Sequence, residues 1–262
     1  MPDRTQTLLR VADVSRQFGG LTALDHVSFD VMAGAICGLI GPNGAGKTTL
    51  INIISGLTPV NSGRITFDGA VISGLPAHDI ARCGIGRTFQ NIRLFGDLSV
   101  LENVMVGHHL RQPGAIIETL LRLPRSRRAE QATQAAALGL LRRLRVEHLA
   151  AAAAGALSYG DQRRVEMARA LALEPRLLLL DEPAAGMIAA ETEQLAHLLL
   201  ELRAAGLTLL VIEHHMDLIM SICDQVVVLN FGRTIAAGTP DQVRHDPRVI
   251  EAYLGNEGDE GQ

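Results

Sequence analysis

Lys47 follows the third glycine of the stretch GPNGAGKTT, Gly41 to Thr49, in which no acidic residue stands. The spacing G-x-x-x-x-G-K-[ST] is met at every fixed position. Gly41 leaves the apolar run Ala35–Ile40, and Gly44 and Gly46 accept backbone angles that turn successive N–H groups inward. Such amides, with the positive end of a following helix, cradle phosphate oxygens. Lys47 then reaches the β- and γ-phosphates, the Thr48 hydroxyl is placed for Mg²⁺, and Thr49 touches the α-phosphate. Asn43 and Ala45 complete the candidate loop.

A second set of oxygens stands at LLLLDEP, Leu177–Pro183. A buried parallel strand ending in Asp181 puts a carboxylate at the sheet's carboxyl edge, where the phosphate loop also lies. Asp181 suits the shell of a magnesium ion. Glu182 is the candidate to polarise an attacking water, and Pro183 stops the strand. Phosphoryl transfer is largely placement and charge neutralisation, so these parts form a minimal hydrolytic set. Gln90 ends the apolar strand Ile85–Gln90, and His214 ends another at LLVIEH. Either alone reads as a capped strand end. Their shared placement points to the γ-phosphate or its metal.

These residues need strands to carry them. Leu8–Val14, Val27–Val31, Ala35–Ile40, Arg64–Phe67, Leu177–Asp181, Leu207–Glu213 and Val226–Leu229 have the length and branching of strands. Lys47–Ser55 reads as a helix ended by Gly56, and Asp68-Gly69 as a hairpin turn. Asn91 to Gly155 is rich in Leu, Ala and Arg and helix-forming throughout, with a long helix over Ala129–Leu144. It reads as a helical insert. A further helix covers Glu191–Ala205. Apolar strands alternating with helices predict an α/β fold with a parallel sheet covered on both faces.

Composition narrows the function. The 262 residues are 47% hydrophobic, carry a net charge of −4 and are 3% aromatic without Trp. Nucleic acid is not the default partner of such a chain. Cys37, Cys83 and Cys223 are scattered, which fits a reducing compartment. No apolar run reaches the ~18 residues of a membrane span, and the first ten residues have no signal-peptide core. The expectation is a cytoplasmic chain able to dock on a membrane protein. The basic run Leu123–Glu130 reads as a solvated face, and His108-His109 lacks a metal-ligand pattern.

Leu157–Leu171, LSYGDQRRVEMARAL, resembles the LSGGQ signature of ABC ATPases. With it, Gly41–Thr48 resembles their Walker A, Leu177–Asp181 their Walker B, Gln90 the Q-loop glutamine and His214 the switch histidine. Phe18, in RQFGGLTALDHVSF, matches the aromatic that stacks on adenine. The resemblance spans residues 8–255. Arg87–Phe95, the insert around His108–Arg128, Asp181–Gly186, Glu213–Met220 and Gly238–Gly255 look like the ATPases of branched-chain amino acid uptake systems. Lipopolysaccharide-export ATPases share much of this pattern but usually lack so long an insert.

The resemblance implies a P-loop NTPase of the ABC type, one domain over 1–262. It would hold a largely parallel core sheet, an N-terminal antiparallel β subdomain and an α-helical subdomain over 91–165, with a disordered tail at 256–262. It implies ATP and Mg²⁺, with Lys47, Gln90, Glu182 and His214 catalytic and Thr48, Gln90 and Asp181 at the metal. It implies a dimer, homo- or hetero-, in which Ser158 and Gly160 meet the partner's ATP. Ser158 is a good N-cap for a helix aiming its dipole at a γ-phosphate. Membrane permease subunits, and through them a substrate-binding protein, are the further partners. The place is the cytoplasmic face of the inner membrane, peripherally. Lipid export, amide or urea uptake, a soluble ABC ATPase and a non-hydrolysing regulatory subunit stay open as alternatives.

Two positions depart from the pattern. Asp161 replaces the signature's usual Gln. It either caps its own helix or repels an incoming triphosphate, with Arg163 and Arg164 partly offsetting that repulsion. Ile188-Ala189 replaces an Asp or Asn followed by Pro, so a polar contact between subunits is lost and weaker coupling of two ATP sites is expected.

Overall fold

The computed structural model describes residues 6–109 and 124–254. Ten strands are present: β1 Thr7–Phe18, β2 Leu21–Met32, β3 Ile36–Ile40, β4 Ser62–Phe67, β5 Ala70–Val71, β6 Ile85–Arg87, β7 Leu177–Asp181, β8 Thr208–Ile212, β9 Gln225–Asn230 and β10 Arg233–Gly238. Six form one sheet in the order β10-β9-β3-β8-β7-β6. The pairs β9/β3, β3/β8, β8/β7 and β7/β6 are parallel, and β10 closes one edge antiparallel.

Period-2 alternation divides each central strand between two cores. Ile36, Ile40, Leu178, Leu180, Leu209, Val211, Val226 and Val228 face a cluster made with the later helices. Cys37, Leu39, Leu177, Leu179, Leu210, Ile212, Val227 and Leu229 face a second cluster shared with the small sheet and the first helix. Burial on both faces is why these strands read as unbroken apolar runs. Each buried Leu or Val stabilises the sheet by about 2 kcal/mol.

The small sheet is antiparallel, β2-β1-β4-β5. Its first two strands run twelve residues each, longer than the apolar pattern predicts. Pairing carries on through Gln17↔Thr22 and Phe18↔Leu21, where the side chains are polar or exposed and leave no hydrophobic alternation to read. Asp68-Gly69 forms the expected tight turn, with φ of 50° and 79°.

Nine α-helices lie among the described residues: α1 Lys47–Ile54, α2 Ala77–Arg82, α3 Val100–His109, α4 Pro124–Arg143, α5 Tyr159–Leu171, α6 Ala189–Ala204, α7 Met216–Ile222, α8 Pro240–Arg244 and α9 Pro247–Leu254. The segment after Gln90 is not helical throughout. Residues 91–99 are irregular, and 3₁₀ turns at Glu147–Leu149 and Ala154–Ala156 lie between α4 and α5. Helix α3 starts late because Ser99 and Glu102 form a capping box. The Ser99 N–H donates to Glu102 Oε2 at 2.7 Å, and the Glu102 N–H to Ser99 Oγ at 3.2 Å. The tail after Leu254, much of the segment around His108–Arg128 and the side chains of the basic run up to Ala129 lie outside the described residues.

Candidate functional site

The phosphate loop joins β3 to α1. Gly44 and Gly46 take φ of 76° and 100°, and a Cβ on Gly46 would come within 2.6 Å of the Ala23 carbonyl. Helix α1 has no side-chain cap at its start and no acid in its first turn, so its leading amides are free of an internal anion. Lys47 is 8% exposed, and its Nζ donates to the carbonyls of Gly41 at 2.6 Å and Pro42 at 2.8 Å. Burial lowers its pKa, while Glu182 and Asp181 draw it back up. The turn between β9 and β10 braces the loop through Gly232 N–H to the Ala45 carbonyl, 3.1 Å. Asn43 and Thr48 are exposed and Thr49 is half-buried.

Asp181 ends β7 and is 3% exposed. Its Oδ2 accepts from Arg87 at 3.1 Å, and Arg87 also reaches Asn52 Oδ1 at 2.8 Å and Ser55 Oγ at 2.7 Å. Burial pushes the Asp181 carboxyl above the usual range, and the Arg87 guanidinium opposes that rise. Glu182 follows in a left-handed conformation, φ 49°, with its N–H on the Ile212 carbonyl at 2.9 Å. For a non-glycine residue this conformation costs about 1–3 kcal/mol and collects at functional sites. Gln90 Nε2 donates to Glu182 Oε2 at 2.8 Å.

Gln90 does not end a strand, as its sequence context suggests. Strand β6 stops at Arg87, and only Thr88 N–H continues the ladder, to Leu179 O at 2.9 Å. The next residues bend away, which is what lets the Gln90 side chain come back over Glu182. His214 lies past the end of β8 and is exposed, its Nδ1 3.9 Å from Glu213 and its ring centroid 4.2 Å from that of His215. The carboxyl ends of four neighbouring strands, β3, β8, β7 and β6, therefore carry Lys47, His214, Asp181, Glu182 and Gln90.

Two functional supports escape the sequence reading. Arg87 is the charged end of a short buried strand, and its only signal is an arginine inside an apolar run. Glu213 is fully buried and accepts from Ala184 N–H at 2.7 Å, His214 N–H at 3.2 Å and His215 Nδ1 at 3.0 Å. It ties the loop after β7 to the loop after β8. Its signal is the acid closing LTLLVIE.

The signature segment is turned elsewhere. Ser158 caps α5: its Oγ accepts from Asp161 N–H at 3.2 Å and donates to Asp161 Oδ2 at 2.8 Å. Asp161 thus caps its own helix, the first of its two readings. Arg163 does not offset it, because that side chain is 2% exposed and points inward, while Arg164 donates to Gln194 Oε1 at 2.6 Å. A Cβ on Gly160 would sit 3.2 Å from Glu191 Oε1. Ile188 is 67% exposed and precedes α6. Phe18 is exposed, with the Arg16 guanidinium 4.5 Å over one face of its ring.

The family model described as ABC transporter matches residues 24–185, and one described as branched-chain amino acid ATP-binding cassette transporter matches residues 233–259. The high-affinity branched-chain amino acid transport ATP-binding protein BraF of Pseudomonas aeruginosa is 43% identical over 252 residues, 96% of this chain and 99% of that protein. A nucleotide-free ATP-binding cassette from an ABC transporter superposes with a TM-score of 0.83 at 33% identity, covering 95% of this chain and 99% of its own. A dimeric cassette in a post-hydrolysis state bound to ADP and Pi superposes at 0.76 and 25% identity, covering 89% and 99%.

Proposed function

This chain belongs to the ABC transporter family of ATP-binding cassettes, and on that premise we propose that it hydrolyses ATP to energise a membrane importer of branched-chain amino acids. The carrying observation is the convergence at the sheet edge, above all Glu182 held in a left-handed conformation with Gln90 on its carboxylate. The substrate class follows from the relative's name and from the match over residues 233–259.

The N–H groups of Gly41, Asn43, Gly44, Ala45 and Gly46, with Thr49, hold the phosphates, and the adenine stacks on the face of Phe18 that Arg16 leaves open. Lys47 trades its two loop carbonyls for the β- and γ-phosphate oxygens. Glu182 accepts a hydrogen bond from the attacking water and orients it at the γ-phosphorus. Water adds there, the bond to the bridging oxygen breaks, and ADP and inorganic phosphate leave. Gln90 holds the Glu182 carboxylate in place, and His214 contacts the γ-phosphate from the end of β8.

The Thr48 hydroxyl, the Asp181 carboxylate and the Gln90 amide oxygen are hard oxygen donors, the set that fits Mg²⁺. Asp181, a buried carboxylate at the sheet edge, suits a cation. When bound, the ion neutralises charge on the phosphate oxygens.

Ser158 and Gly160 serve the nucleotide of a second cassette, identical or different, since one subunit's hydrogen bonds leave them at the surface. Residues 91–165 act as the subdomain that carries them. Membrane permease subunits bind the cassette at the cytoplasmic face of the cell membrane, and a substrate-binding protein acts through the permease. Among the described residues no helix is long and apolar enough to cross a membrane itself.

Glu182→Gln in the purified chain tests the reading. Steady-state hydrolysis is expected to fall by roughly 10²–10⁴-fold with ATP still bound. Turnover at the parental rate would sink it.

A further inference from the structure

Arg163 and Glu166 stand one turn apart on α5 and are 2% and 1% exposed. An ion pair this far from water is expensive unless its remaining protons and lone pairs find partners. Here one loop supplies most of them. The Arg163 guanidinium donates to the carbonyl oxygens of Phe89 and Gln90, to Glu166 Oε2 at 3.1 Å and to the Tyr159 hydroxyl at 2.9 Å. Glu166 Oε1 accepts from the backbone N–H groups of Phe89 and Arg93, both at 3.4 Å. Burial raises the Glu166 pKa, and Arg163 with these two amides works against that rise.

Helix α5 therefore grips the main chain of residues 89–93 with donors and acceptors together. Gln90 lies inside that grip, and its side chain is the one on Glu182. The helix that begins at Ser158 is thus connected by side-chain bonds, not only by chain continuity, to the residues at the ends of β6 and β7.

We propose that Arg163 and Glu166 are positioning residues that lock the backbone under Gln90 to α5 and thereby hold the Gln90 side chain on Glu182. The proposal relies on the hydrolytic roles given above to Gln90 and Glu182. Neither Arg163 nor Glu166 touches the reacting atoms. A pair that merely stabilised α5 would be replaceable by apolar side chains of similar volume, which often leaves stability equal or higher.

That contrast supplies the experiment. The double variant Arg163→Met/Glu166→Leu is made in the full chain beside Glu166→Gln, and thermal melting, steady-state ATPase and amide hydrogen exchange without nucleotide are measured. The expected result for the double variant is an unchanged or raised melting temperature with kcat down roughly 10- to 100-fold. KM for ATP stays within about twofold, and exchange at the Phe89 and Arg93 amides rises about 10-fold or more while the interior of α5 keeps its protection. Glu166→Gln moves the same amides and kcat in the same direction. A folded double variant with parental kcat overturns the proposal, as does parental exchange at Phe89 and Arg93 in either variant. A parent chain that fails to hydrolyse ATP would overturn the functional reading instead, and the exchange contrast would still decide whether the grip exists.

Discussion

The phosphate-loop edge and the signature face are built on opposite plans. At the edge, Lys47, Asp181, Glu182 and Gln90 each hold a partner within the same subunit, and they are mounted on strands whose core residues are buried. At the signature face, Ser158 and Ile188 sit exposed at helix starts, and their hydrogen bonds close on near neighbours, Asp161 and Glu191. The first region holds internal tension: a buried acid, a desolvated lysine and a left-handed backbone at Glu182. The second is a presented surface with its own polar groups satisfied. In the proposed function the first region holds the nucleotide and the attacking water, whereas the second serves the nucleotide of a second cassette. Substitutions should accordingly have large effects at the edge of the sheet and small ones on the isolated chain at the signature face.

Arg87 offers the strongest attempt to break that contrast. Arg87→Ala leaves Asp181 buried without its guanidinium, and loss of one partner of a buried pair costs about 3–5 kcal/mol. Denaturant unfolding measures this. The same change has a pH signature. Both influences of Arg87 pull the Asp181 pKa down against a rise from burial. Removing them moves that pKa further up, so the proton competes for the carboxylate at higher pH. The acid limb of the kcat/KM profile is then expected to shift toward neutrality. An unmoved limb would show that Asp181 does not govern it.

Lys47→Ala comes next. It removes the charge that turns from two loop carbonyls to the phosphates, and charge-assisted bonds of this kind are worth about 3 kcal/mol here, roughly 100-fold in ATP affinity. Titration of the isolated chain with a fluorescent ATP analogue reads it. Ser158→Ala in the same titration should stay within about twofold, because its hydroxyl is engaged with Asp161. Equal losses at the two positions would erase the distinction between the regions.

What the sequence made legible divides along the same line. Asp181 and the phosphate loop could be read because a parallel strand buried on both faces is an uninterrupted apolar word, and whatever follows it stands at the carboxyl edge. The extended hairpin of β1 and β2 could not, since its outer halves are held by backbone pairing such as Gln17↔Thr22. Gln90 stands at the expected edge but not at a strand end, since β6 stops three residues earlier at Arg87. Arg163 is buried rather than turned toward a partner's triphosphate. A charged residue beside a signature suggests a surface role, and nothing local announces that residues 89–93, more than seventy positions earlier, will bury it.

Smaller effects sharpen the picture of the presented face. Ser158→Ala removes an N-cap and should destabilise the chain by about 1 kcal/mol, a fall in Tm of roughly 2–4 °C for a chain of this size. A loss several times larger would mean that the signature helix is braced through its start rather than through Arg163 and Glu166.

Ile188 makes the finest test. Half of a capping box exists there, since Glu191 Oε2 accepts from the Ile188 N–H at 3.1 Å. The isoleucine side chain has no acceptor to offer the Glu191 N–H in return, so that amide bonds the Ile188 carbonyl at 3.0 Å. Ile188→Asn supplies the missing acceptor and removes a large exposed apolar side chain. It should raise stability by about 0.5–1 kcal/mol, with Tm up by roughly 1–4 °C. If this position also faces a second cassette, the same substitution should steepen the dependence of ATPase rate on ATP concentration. A thermal gain with unaltered cooperativity would assign Ile188 to the helix start alone.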